Sequence, residues 1–96
     1  MSDTPKPLEL THDIANQVFV AVVDGFTCEL EYRLEGKTMY ITHTGVPSPV
    51  GGRGIAALLT RFAVKTAETK GWKIVPACAY AATWFERNPE FGHLLA

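Results

Sequence analysis

The chain has too few cysteines and histidines to suggest a disulfide scaffold or a metal site. Its two cysteines, Cys28 and Cys78, form no Cys-x-x-Cys motif, and its three histidines are scattered singly. Disulfide scaffolds and structural zinc sites show several such residues at short, regular spacing. We therefore expect neither a disulfide framework nor a bound metal.

Charge of one sign and long apolar runs are also lacking. Lys and Arg number 9 against 10 for Asp and Glu, so the net charge of −1 gives no basic excess for nucleic acid. The apolar runs are of strand length, far short of the roughly 20 residues of a membrane span. Residues 1–7 are polar and contain two prolines, without the features of a signal or transit peptide. We expect a flexible lead-in, a cytoplasmic location, and neither nucleic acid nor membrane as a partner.

The hydrophobic content is sufficient for one domain over residues 8–96, since 47% of the 96 residues are hydrophobic. Its first half shows the alternation and turn residues of strands. The predicted strands cover 8–12, 17–23, 26–35 and 38–45. Asp24-Gly25 is a strong hairpin signal. Strand 17–23 is apolar at nearly every position, which predicts burial on two sides or nearly so, or an edge that pairs with a second copy.

Alternation also assigns environments to two reactive side chains. Cys28 shares a face with Phe26 and Leu30, which favours a core residue over a reactive thiol. His43 falls on the same side as Ile41, which predicts an inward-facing histidine that donates to a backbone carbonyl. Because it ends a strand, a role as general base stays open.

A helix, a short strand and a second helix make up the second half. Apolar residues recur at three- and four-residue spacing over 53–70, and Gly71 is suited to end that helix. Residues 72–76 then read as a strand that returns parallel to strand 38–45 by a right-handed crossover. Residues 79–88 predict the second helix, bounded by Pro89.

The glycine cluster between strand 38–45 and the first helix predicts an anion site. Gly51, Gly52 and Gly54 leave main-chain N–H groups unshielded at a helix start, where a phosphate binds readily, and Arg53 could add a cation. The segment lacks the Gly-Lys-Ser/Thr of a Walker A loop and the Gly-x-Gly-x-x-Gly of a dinucleotide fold.

Cys78 and Tyr80 stand at the carboxyl end of the returning strand, where the second helix begins. Ligands of such units bind at strand carboxyl ends, and a helix start stabilises negative charge, including that of a thiolate. For Cys78 a buried spacer and a functional thiol are both open.

The cluster Gly51-Gly52-Arg53-Gly54-Ile55-Ala56 resembles motif A of the GNAT superfamily of acetyl-coenzyme A-dependent N-acetyltransferases, Arg/Gln-x-x-Gly-x-Gly/Ala, with Gly51 at the first position. Four further segments make the chain similar to a small, single-domain, cysteine-containing branch of that family: Glu31-Tyr32, His43-Thr44-x-Val46-Pro47, Val75-Pro76-x-Cys78-x-Tyr80 and Arg87-x-Pro89-Glu90-Phe91. Asn88 stands where that branch usually has His.

The resemblance implies an α/β (α+β) fold with mostly antiparallel N-terminal strands, a central strand-loop-helix cofactor site, one parallel crossover strand and a C-terminal helix. It implies transfer of an acetyl group from acetyl-coenzyme A to an unidentified amine, of a small molecule or a protein. The implied cofactor-binding residues are Thr44, Gly45, Val46, Gly51, Gly52, Arg53, Gly54, Ile55 and Ala56. The implied catalytic residues are Cys78, Tyr80 and His43.

Cys78 would serve either as an acetylated nucleophile or as a group packed beside the thioester, and Tyr80 would protonate the departing thiolate. Two alternatives remain. A chain this short lacks the N-terminal helices that form much of the acceptor site in ordinary family members, so a non-catalytic module that binds or senses acetyl-coenzyme A is the second hypothesis. A plain interaction domain that binds no coenzyme A is the third. We expect a monomer or a weak homodimer.

Overall fold

Alternating apolar residues and tight turns fold the first half of the chain into an antiparallel meander. The computed structural model describes residues 9–96, so the predicted lead-in at 1–7 lies outside the described residues. The strands of the meander are β1 (Glu9–Asp13), β2 (Val18–Val23), β3 (Phe26–Glu35) and β4 (Thr38–Gly45). Asp24 and Gly25 have φ of 50° and 80° between β2 and β3, as a type I′ hairpin turn requires.

The second half adds a crossover and a final helix. It contains α1 (Ile55–Lys70), β5 (Lys73–Pro76) and α2 (Ala79–Arg87), with short 3-10 helices at Ser48–Val50 and Pro89–Leu94. β5 pairs parallel with β4, which completes a sheet in the order β1-β2-β3-β4-β5. The predicted mixed α/β architecture is therefore confirmed. No helix among residues 9–96 is long and apolar enough to cross a membrane.

The core lies on one face of the sheet. Inward side chains of the sheet meet the apolar stripes of α1 and α2 in one buried cluster, while the opposite face of β3 is exposed along its length. The fully buried large side chains include Phe19, Leu30, Met39, Ile41, Leu59, Val64 and Ile74. The molecule thus has two layers, and both helices cover the same side.

Two predictions for the meander meet different outcomes. Cys28 is fully buried, and burial raises the pKa of its thiol, which confirms the core assignment. Burial of β2 on both sides holds only in part, because Val18 and Val20 on its outer face are half-buried whereas Val22 is 37% exposed. β2 also lies between β1 and β3, so it is not an edge that a second copy could extend.

A β-bulge in β4 overturns the predicted position of His43. Glu31 pairs with His43 while Tyr32 pairs with Ile41, so Thr42 is an extra residue, and its Oγ1 donates to the Glu31 carbonyl at 3.2 Å. Beyond a bulge the alternation of faces changes phase. His43 is therefore exposed on the outer face instead of lying inside.

Candidate active site

The end of β4 is a strand with one free edge. Its pairing with β5 stops at Ile41 and Pro76, although β4 continues to Gly45 with β3 still paired on its other side. The N–H of Cys78 donates to the Ile41 carbonyl at 3.0 Å, just where the two strands part. Within residues 9–96, the stretch 42–45 therefore has no strand partner on its β5 side. Backbone N–H and C=O groups on that side would need a hydrogen-bond partner wherever they were buried.

Cys78 caps the N-terminus of α2 beside this free edge. Its Sγ accepts from the N–H of Ala81 at 3.4 Å and lies 3.7 Å from Thr44 Oγ1, and the side chain is partly exposed. Thr44 reaches Cys78 because the bulge turns it to the inner face, opposite Leu30. The sulfur is therefore accessible at a helix N-terminus, with a hydroxyl in contact.

Tyr80 lies in the first turn of α2 with its side chain 40% exposed. Burial raises the pKa of its phenol, and the nearby Arg87 guanidinium offsets part of this rise. The phenol therefore keeps its proton at neutral pH. A neutral phenol can donate that proton to a stronger base.

The residues that precede α1 form a glycine loop, defined here as residues 51–54. Gly52 and Gly54 have φ of 78° and 76°, which side chains other than glycine adopt rarely. Gly54 is the N-cap and offers no side-chain hydrogen bond, and the first turn of α1 carries no acidic residue. The first N–H groups of the helix are thus open to an anion, with no side chain competing for them. Arg53 is in contact with Asp24, Nη1 to Oδ2, at 2.6 Å.

A cleft of about 420 Å³ between α1 and α2 joins the glycine loop to Tyr80. Its walls come from one face of each helix, at positions i, i+3, i+4 and i+7. The lining residues are Gly54, Ala57, Leu58 and Arg61 from the α1 side, and Tyr80, Thr83, Trp84, Arg87 and Asn88 from the α2 side. Sequence reasoning assigned no site role to Arg61 or Arg87, although their helical spacing from Gly54 and Tyr80 was a signal that could have found them.

The predicted site residues fall into two groups. Thr44 and Cys78 are in contact, and Gly54 and Tyr80 line one cleft. His43 lies on the other face of the sheet, where a Cβ added at Gly45 would come within 3.1 Å of its Nε2. No group of three or more His, Cys, Asp or Glu among residues 9–96 could hold a metal ion.

Comparison with known proteins adds a family and a fold relative. The model of the GCN5-related N-acetyl-transferase family matches residues 18–94. A solved structure from Staphylococcus aureus, a GCN5-like candidate N-acetyltransferase determined by NMR in solution, is similar with a TM-score of 0.75. The two sequences are 25% identical, over 93% of this chain and 88% of that one.

Proposed function

Since the chain belongs to the GCN5-related N-acetyltransferase family, we propose that it transfers an acetyl group from acetyl-coenzyme A to an amine with Cys78 at the reacting centre. One observation carries this proposal. The Cys78 thiol sits at the start of α2, beside the free edge of β4, and Tyr80 of the same turn lines a cleft that leads to the glycine loop.

The proposed binding of acetyl-coenzyme A uses the backbone more than side chains. The N–H groups from Gly52 to Ala56 would hold the pyrophosphate, whereas that of Gly51 already donates to the Ser48 carbonyl at 3.0 Å, and Arg53 would add a positive charge to this segment. The free edge of β4, with Thr44, Gly45 and Val46, would pair with the amide groups of the pantetheine arm, as an added strand pairs with a sheet edge. The N–H donors of the glycine loop suit the charge of a pyrophosphate, and the free edge of β4 suits the amide groups of the pantetheine arm.

We assign the chemical roles as follows. The Cys78 thiol would lose its proton to solvent, and its sulfur would attack the acetyl carbonyl, so that a new sulfur-carbon bond forms while the thioester bond of coenzyme A breaks. Tyr80 gives its proton to the departing thiolate and recovers one from solvent. An amine then attacks acetyl-Cys78, the amide forms and the Cys78 thiolate is released, and solvent takes the proton that the amine loses, because the predicted base His43 lies on the other face of the sheet.

Calorimetric titration with acetyl-coenzyme A, combined with intact-mass analysis of the same samples, tests this proposal. The informative variant is Cys78→Ser, because serine keeps the N-cap of α2 whereas Cys78→Ala removes it. We expect wild type to bind and to gain the mass of an acetyl group. Cys78→Ser should bind equally well, gain no acetyl mass and lose transfer by orders of magnitude.

Each other outcome points elsewhere. Absence of binding by wild type would overturn the proposed function. Full transfer by Cys78→Ser would exclude the covalent route and leave direct transfer. Tight binding without transfer to a lysine peptide, a peptide α-amine or a polyamine would favour the non-catalytic sensing module.

A further inference from the structure

The glycine loop is anchored firmly at both ends and weakly in between. Val50 precedes it and is fully buried, and Ile55 follows it and is 4% exposed. The four residues between them are all exposed. Three of these are glycines, which lose more conformational freedom on ordering than residues with side chains do.

Arg53 is the one residue of this loop with a side chain beyond hydrogen, and its contact is Asp24 at 2.6 Å. Asp24 lies in the tight turn between β2 and β3, whose flanking residues Val23 and Phe26 are paired. The carboxylate therefore projects from a part of the backbone that the sheet holds in place. Arg53 follows Asp24 by 29 positions in the sequence, so the contact ties the loop to a distant element.

We propose that Asp24 is a positioning residue for the glycine loop: through Arg53 it holds the backbone N–H groups in the arrangement that accepts a phosphate. This inference rests on the proposed function, since it takes the loop to be the pyrophosphate site. Asp24 itself contacts no ligand and has no chemical role. Its effect is to reduce the conformational freedom that the loop would otherwise lose when the ligand binds.

The sign of the effect separates positioning from simple electrostatics. Asp24 carries a negative charge close to a site for an anion, so neutralising it should tighten anion binding if charge alone mattered. Loss of loop positioning should instead weaken anion binding. Because exposed ion pairs are weak, we expect Asp24→Asn to weaken coenzyme A binding about two- to fivefold, not to abolish it.

Asp24→Asn is a clean variant because asparagine accepts positive φ, and Asn-Gly is a favoured pair for this turn. The matched control is Glu35→Gln, which removes an exposed carboxylate at the opposite end of β3. A third variant, Arg53→Gln, and the double variant with Asp24→Asn test whether the two residues act as one unit. Calorimetry with coenzyme A at low salt gives the affinities, and ¹⁵N relaxation of the free proteins gives the mobility of the Gly52 and Gly54 amides.

The expected result has three parts. Asp24→Asn binds more weakly and shows more mobile Gly52 and Gly54 amides at an unchanged melting temperature. Glu35→Gln binds as wild type or slightly more tightly. The double variant binds no more weakly than Arg53→Gln, because the second change finds no partner left.

Two results would overturn the inference alone. The first is an Asp24→Asn affinity equal to or tighter than that of wild type, and the second is a weaker affinity with unchanged amide mobility. Failure of wild type itself to bind coenzyme A would overturn the proposed function and this inference together.

Discussion

His12 shows how a single side chain can tie the edge of the sheet to the core. Its ring stacks on Phe19 with centroids 4.0 Å apart, and its Nε2 lies 2.6 Å from the Tyr32 hydroxyl. Burial lowers the pKa of His12 below its ordinary value of 6.5, Lys70 lowers it further, and Asp13 acts in the opposite direction. The neutral ring can accept a hydrogen bond from the Tyr32 hydroxyl at Nε2, whereas a charged ring can only donate one.

Acid should therefore destabilise the protein through His12. Because the folded chain binds this proton less readily than the unfolded chain, the stabilisation by His12 is present above pH 6.5 and is lost as pH falls through the lowered pKa. Urea unfolding between about pH 7 and about pH 5 should show a fall in unfolding free energy that His12→Phe lacks, since phenylalanine keeps the stack without titrating. An equal fall in both proteins would assign the loss to other groups.

At the scale of elements, the sequence predicted both α-helices and all five strands among residues 9–96, but missed the two short 3-10 helices and one bulge. The alternation of β3 and the periodicity of α1 are strong because long segments average over many residues, whereas a bulge is one residue. The sequence around Thr42 does not indicate the bulge, because neither a glycine nor a proline stands at that position. The wrong position predicted for His43 follows directly, because strict alternation of side chains across the bulged Thr42 assigns His43 to the inner face of the sheet.

Deletion of Thr42 should be tolerated, because the chain without it pairs regularly. His43 would stay opposite Glu31 and Thr44 opposite Leu30, and the main loss is the 3.2 Å hydrogen bond from Thr42 to Glu31. We expect a cost of about 1 kcal/mol in unfolding free energy. Deletion of Tyr40 is the control, since it would turn buried Ile41 outward and should cost several kcal/mol, roughly 2–5, in a chemical denaturation experiment. Equal losses from the two deletions would contradict the assignment of the bulge.

For the whole molecule, the sequence was sufficient to predict the fold class but not the cleft between the two α-helices. The mixed fold followed from the order of strands and helices, but the cleft depends on how α1 and α2 pack, which no local pattern records.

At one edge of the sheet, the Ala96 N–H donates to the Ile74 carbonyl at 2.9 Å and covers part of β5. β1 is the other edge, so a weak homodimer, if formed, should pair there and not through β2. The monomer or weak homodimer and the cytoplasmic location stay predictions.

A single core should make unfolding one cooperative event, and the two tryptophans can test it. Trp72 lies near Tyr32, with ring centroids 6.5 Å apart, while Trp84 is 6% exposed and packs on Phe91 at the other end of the core. Trp72→Phe and Trp84→Phe each leave one reporter. Within each variant, fluorescence and far-ultraviolet circular dichroism should give the same denaturation midpoint. An earlier fluorescence transition in the variant that retains Trp84 would show α2 leaving the sheet first.

The buried anchors of the glycine loop have a consequence for how this protein could evolve. Val50 and Ile55 belong to the hydrophobic core and also fix the two ends of the loop. Here a change that loosens the core at these two residues also loosens the loop, so, if the loop binds coenzyme A as proposed, adaptation to heat or cold would alter that affinity along with stability.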